Sequence, residues 1–128
     1  MGIYLTSLVS LLVLDGLWIT VIAKSFYKKY LGYIFAEQFV LWPAALFYLL
    51  YAFGIFYFVV TPAIEAKSLS VALFRGALLG LLAYSTYDLT NHATIARWPL
   101  IITLTDIAWG TFVTAVVSAI AYFVATKF

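Results

Sequence analysis

Cysteine is absent from this 128-residue chain, which excludes disulfides, thiolate nucleophiles, Cys-ligated zinc and iron–sulfur clusters. Charge is scarce. Asp, Glu, Lys and Arg make up 9% of the residues and leave a net charge of +2, so no nucleic-acid partner is expected. There is a single histidine, His92, and the serines in the apolar stretches (Ser7, Ser10, Ser85, Ser118) have no other His to work with, which argues against a hydrolytic triad. Glycine-rich phosphate loops and dinucleotide fingerprints are missing. Short segments alternating polar and apolar residues are missing too, so a membrane β-barrel is not expected.

What fills the chain instead is apolar. Hydrophobic residues make up 66% of it, and the mean hydropathy is +1.10. Four apolar runs, at about 3–23, 39–62, 72–96 and 99–126, each reach the roughly 20 residues that a spanning helix needs. The expected architecture is all-α: an integral membrane four-helix bundle forming one transmembrane domain over residues 1–128. Ten Tyr and four Trp gather toward the span ends, where aromatic belts form. Lys24 to Gln38 reads as an interfacial turn or short amphipathic helix, Thr61-Pro62 as the end of the second span, and Arg97-Trp98-Pro99 as a tight corner. No cleaved leader is expected, because no Lys or Arg precedes the first run and Asp15 interrupts it.

Three of the five acidic residues, Asp15, Asp88 and Asp106, fall inside these spans. A carboxylate at a helix centre costs roughly 2.5–3.5 kcal/mol even on lenient scales, so such residues mark functional sites by default. Asp15 precedes Lys24 by nine residues, Asp88 precedes Arg97 by nine, and Asp106 follows Trp98 by eight. At about 1.5 Å rise per residue, all three lie about 12–14 Å below the same membrane face. One acidic pocket near the midplane is the simplest arrangement. Trp18 shares a helix face with Asp15, and Trp109 shares one with Asp106. In the third run, Ala72, Gly76, Gly80, Tyr84, Asp88 and His92 form one i+4 ridge, with Tyr87 and Asn91 beside it. The second run offers no carboxylate or amine and reads as an apolar wall. Asp15 to Lys24 also aligns without gaps to Asp88 to Arg97, which raises the expectation of two tandem helix-hairpin repeats.

Three functions fit these residues. The first is binding or transport of a small-molecule or lipid-like ligand, coupled to a proton or cation at Asp15, Asp88 and Asp106 with Trp18, Tyr84, Tyr87, Asn91 and Trp109 lining the site. The second is an intramembrane enzyme acting on a lipid or isoprenoid with a divalent metal held by Asp88, His92, Asp15 and Asp106, since a hard oxygen-rich shell suits Mg, Mn or Fe(II). The third is an accessory subunit whose polar groups fix assembly. With no cation in reach, at least one of the three acids is expected to keep its proton at neutral pH. Four spans enclose little space, so a homodimer is one arrangement that fits, with the Ala72/Gly76/Gly80 stripe as one candidate interface.

Leu14-Asp15-Gly-Leu-Trp18, Lys24-Ser-Phe26-Tyr27, Tyr87-Asp88-Leu-Thr-Asn91, Trp98-Pro99-Leu and Asp106-Ile-Ala-Trp109-Gly110-Thr111 together resemble the bacterial membrane proteins of domain-of-unknown-function family 2177. The resemblance covers nearly the whole chain. It implies a multi-pass, four-helix protein of the bacterial inner membrane, and it implies no activity.

Loops one and three carry Lys24, Lys28, Lys29 and Arg97, against Lys67, Arg75 and Lys127 on the other side. The three lysines follow a first span with no preceding basic residue, which places loops one and three in the cytoplasm. Single cysteines introduced at Lys28 and Lys67 test this cleanly in a cysteine-free chain. Position 67 should label from outside intact cells and position 28 should not. Labelling at 28 alone reverses the orientation.

Overall fold

The computed structural model describes residues 2–35 and 40–127. Four helices in it are long and apolar enough to cross a membrane: α1 (Gly2–Ile34), α2 (Leu41–Ala66), α3 (Leu69–Thr94) and α4 (Leu100–Lys127). Their outward faces are rich in exposed Leu, Ile, Val and Phe, as a surface solvated by lipid requires. Glu37, Gln38 and Phe39, assigned to the first loop and the start of the second span, lie outside the described residues.

Two spans run further than their sequence signals indicate. Hydropathy ends the first near Ala23, yet α1 continues to Ile34 through a wider, π-type turn at Trp18–Ala23. No Gly or Pro follows until Gly32, so nothing stops the helix, and the wide turn re-aims it instead. At about 1.5 Å per residue, α1 exceeds the bilayer's roughly 30 Å hydrocarbon core, so its lysine-bearing end projects beyond it. Pro62 likewise does not end α2. Another wide turn, Phe56–Val60, precedes it. There the Phe56 carbonyl accepts from the Thr61 hydroxyl at 2.9 Å, so backbone capacity disturbed near the proline is satisfied internally. The helix then closes at Ala66, with Lys67 in the left-handed region at φ 53°. The Ser68 hydroxyl accepts from the Val71 amide at 3.2 Å and starts α3.

α4 is the most buried helix, packed along α3 and against α1. The α3–α4 contact is set by small residues. Ala72, Gly76 and Gly80 are all buried, and the two glycines face α4. A Cβ on Gly76 would sit 2.7 Å from Ser118 Oγ and 3.0 Å from Ala115 Cα. A Cβ on Gly80 would meet the backbone of Gly110, and one on Gly110 would meet the Tyr84 ring. The stripe offered as one candidate homodimer interface therefore packs against α4 of the same chain. Its residues are already consumed within one chain, because the absence of side chains there is what lets α3 and α4 approach. α2 lies against α1 and reaches α3 chiefly from Phe56 onward, leaving its first half splayed from α3. The segments aligned as a repeat also take different conformations: α1 continues through Lys24, whereas α3 ends at Thr94 and Ile95 is extended.

Gly80→Ala should therefore cost about 1–3 kcal/mol through overpacking. Gly54→Ala, where a Cβ meets nothing within 4 Å, should not. Thermal unfolding midpoints in detergent check the contrast. Equal midpoints for the two variants would show that α3 and α4 are not held by this approach.

Candidate functional site

Where α2 and α3 splay, the four helices enclose a cavity of about 420 Å³. Asp15 enters from α1, Phe47 and Tyr48 from α2, Ala83, Tyr84 and Tyr87 from α3, and Asp106 from α4. Tyr87 is 56% exposed and stands at the mouth. A second cavity of about 140 Å³ adjoins it, lined by Tyr27, Leu31, Phe35, Tyr87, Asp88, Ile102 and Asp106. Tyr87 and Asp106 belong to both. The structure thus brings Asp15 and Asp106 together, and Asp88 and Asp106 together, with Asp106 as the common wall.

Each carboxyl has a different environment. Asp15 is 8% exposed and has a donor on each oxygen. Trp109 Nε1 donates to Oδ1 at 2.9 Å, and the Tyr48 hydroxyl donates to Oδ2. Each oxygen thus has one lone pair satisfied by an aromatic donor. Asp106 Oδ1 accepts from the Tyr27 hydroxyl at 2.7 Å, and that hydroxyl accepts in turn from Trp18 Nε1 at 3.4 Å. Asp88 is fully buried and has no N–H or O–H donor on either oxygen. The polar group within its reach is the Asp106 carboxyl. A buried polar atom normally has a partner, and an orphaned carboxyl is the costliest exception.

The indoles of Trp18 and Trp109 stack 4.4 Å apart at 7°. One pair of rings therefore orients donors toward two acids, Trp109 directly and Trp18 through Tyr27. Tyr84 lies over Gly110 and presents a side to the larger cavity, with Tyr51 packed edge-on at 6.3 Å. Asn91 lies one turn from Tyr87. It lines neither cavity.

His92 turns elsewhere. Its Nδ1 lies 3.0 Å from Thr103 Oγ1, which also accepts from Trp98 Nε1 at 3.0 Å. This knot holds the α3–α4 corner, where Arg97 takes φ 61° and stacks 4.5 Å over the Tyr33 ring. Among the described residues, no group of three or more His, Asp or Glu side chains is placed to hold a metal ion. The set Asp88, His92, Asp15 and Asp106 is thus not assembled as a metal centre. Its physical reason is the corner: the imidazole satisfies Thr103 instead of pointing at Asp88.

Tyr48 and Tyr27 are site residues that sequence reasoning missed. α2 is not only an apolar wall, since it supplies a donor to Asp15. The usable signal is that a tyrosine hydroxyl at membrane depth needs a partner. Tyr27 becomes available because the wide turn at Trp18–Ala23 rotates the end of α1 toward α4.

Removing either Asp15 donor should weaken the fold modestly. Tyr48→Phe and Trp109→Phe are each expected to cost about 0.6–1.7 kcal/mol, from the average to the largest value measured for hydrogen bonds between membrane helices. Unfolding in detergent is the measurement. If both variants match the parent, Asp15 does not depend on these donors.

A family model described as predicted membrane protein (DUF2177) matches residues 1–123. No curated protein and no solved structure gives a match.

Proposed function

The chain belongs to the DUF2177 family of membrane proteins, and because that membership gives a bilayer setting and no chemistry, we propose from the site itself that it binds or transports a small or lipid-like ligand with proton coupling. The observation that carries this reading is Asp88: a fully buried carboxyl with no donor, lining the smaller cavity beside Asp106, which walls both. Two ionised carboxylates so close in a low dielectric repel strongly, and no Lys, Arg or His lines either cavity among the described residues. One proton held between Asp88 and Asp106 removes the repulsion. That proton is exchangeable when Asp106 finds another partner in the larger cavity.

A volume of about 420 Å³ lies within the range typical of small-molecule sites. The splay of α2 from α3 gives such a ligand a route from the surrounding lipid. The setting we propose is the bacterial inner membrane, with the acid-bearing ends of the helices toward the cytoplasm. A metal-dependent activity is less well supported, since the histidine faces the corner. A purely structural role would leave Asp88 without a purpose, because it fixes no neighbour by a donated or accepted N–H bond.

Native mass spectrometry of protein extracted from its own membranes tests the reading, because it detects whatever the cavity retains. Bound small molecules or lipids should be retained to a degree that changes from mildly acidic to mildly alkaline pH. Asp88→Asn, which keeps size and hydrogen bonding, should retain them without that pH dependence. An unaltered pH profile in the variant would make the acids a structural network and overturn the proposal.

A further inference from the structure

The chemical class of the ligand can be taken further, resting on the binding reading above. The larger cavity presents two carboxyls, Asp15 and Asp106, among the rings of Phe47, Tyr48, Tyr84 and Tyr87. An anionic headgroup would meet two carboxyls there, with no lining cation to receive it. A neutral lipophile would leave the carboxylates uncompensated. A hard metal ion has no three-ligand group among the described residues. An organic cation meets both needs: its charge faces the acids, and its alkyl or aryl substituents face rings whose electron-rich faces attract it. The orphaned Asp88 adds the independent element, because both its oxygens are without donors in the cavity just behind Asp106.

We infer that the larger cavity accepts an amphiphilic organic monocation, such as an alkylated amine or a quaternary onium ion, which enters between α2 and α3 and binds in exchange for the proton shared by Asp88 and Asp106. The balance is one for one. The cation's charge pairs with Asp106, the shared O–H bond breaks, and the proton leaves as hydronium through the smaller cavity, past Tyr27 and toward the lysine-bearing end of α1. Asp15, whose oxygens accept from Tyr48 and Trp109, faces the cation from the other side of the cavity and takes no part in the proton exchange. The site thus carries the same net charge before and after exchange.

The test uses the full chain in nanodiscs of zwitterionic lipid with two probes of matched size and opposite charge, tetraphenylphosphonium and tetraphenylborate. Tetraphenylphosphonium should quench tryptophan fluorescence saturably, as Trp109 and Trp18 adjoin the site. About one proton should be released per ion bound, read with a pH dye in weak buffer, and the apparent Kd should rise about tenfold for each unit of pH lowered in the proton-competitive range. Asp15→Asn and Asp106→Asn should each weaken binding by about tenfold or more. Asp88→Asn should bind without releasing a proton. The wild-type pH slope decides the matter even if a variant fails to fold.

Several results would overturn the inference. Saturable, Asp106-dependent binding of tetraphenylborate alone would reverse the charge class while leaving the binding reading intact. Phosphonium binding with no proton release and no pH slope would remove the exchange. Absence of saturable binding by either probe would refute the cation class, and the fate of the wider reading is then decided by the pH dependence of retained native ligands.

Discussion

The constraint on which the site depends is the cost of placing carboxyl groups at membrane depth with no basic side chain beside them. In water such groups are solvated. In the bundle, the protein must supply every donor. The donors are aromatic: Trp109 and Tyr48 for Asp15, Tyr27 for Asp106, and Trp18 behind Tyr27. This choice suits the setting, because indole and phenol rings pack with apolar neighbours while presenting one polar atom. It also explains the stacked Trp18–Trp109 pair, which fixes both indoles between the two acids.

That network requires helices at defined distances, and the glycines set them. Gly80 and Gly110 lie at the closest approach of α3 and α4, and the Tyr84 ring occupies the space over Gly110. The approach carries Asp88 and Asp106 to each other from adjacent helices. α2 has no such stripe facing α3 in its first half, and its bulky Phe47 and Tyr48 stand off instead. The same packing logic therefore closes one side of the bundle and opens the other.

Span number, helical class and the three acids are legible in the sequence because hydropathy and depth need only counting along a helix. So are Tyr84 as a neighbour of Asp88 and Trp109 as a neighbour of Asp106, since i+4 and i+3 spacing places each pair on a shared face. The two wide turns are not legible. Each shifts the helical phase by a fraction of a turn, and neither Trp18–Ala23 nor Phe56–Val60 contains a residue that announces it. Tyr27 escapes a sequence reading for that reason. The Ala72/Gly76/Gly80 stripe is recognisable as a close-packing surface but its partner is not, because small residues reveal how near a helix comes and not which helix it is. His92 shows a different limit: sequence gives its distance from Asp88 along the ridge, whereas its ring direction is set by Thr103 and Trp98 across the corner.

The aligned segments starting at Asp15 and Asp88 show how identical residues acquire different chemistry. Both are aspartates on parallel-running helices, each nine residues before a basic residue. Asp15 has a donor for each oxygen, whereas Asp88 has none. The difference lies in what the neighbouring helices bring. α2 and α4 present Tyr48 and Trp109 to the first, and α4 presents only another acid to the second. Packing alone therefore supplies donors at one position and withholds them at the other. In the function proposed above, this asymmetry assigns the exchangeable proton to Asp88 and Asp106 and leaves Asp15 with its donors, and, among the described residues, it arises from packing without a basic residue at the cavities.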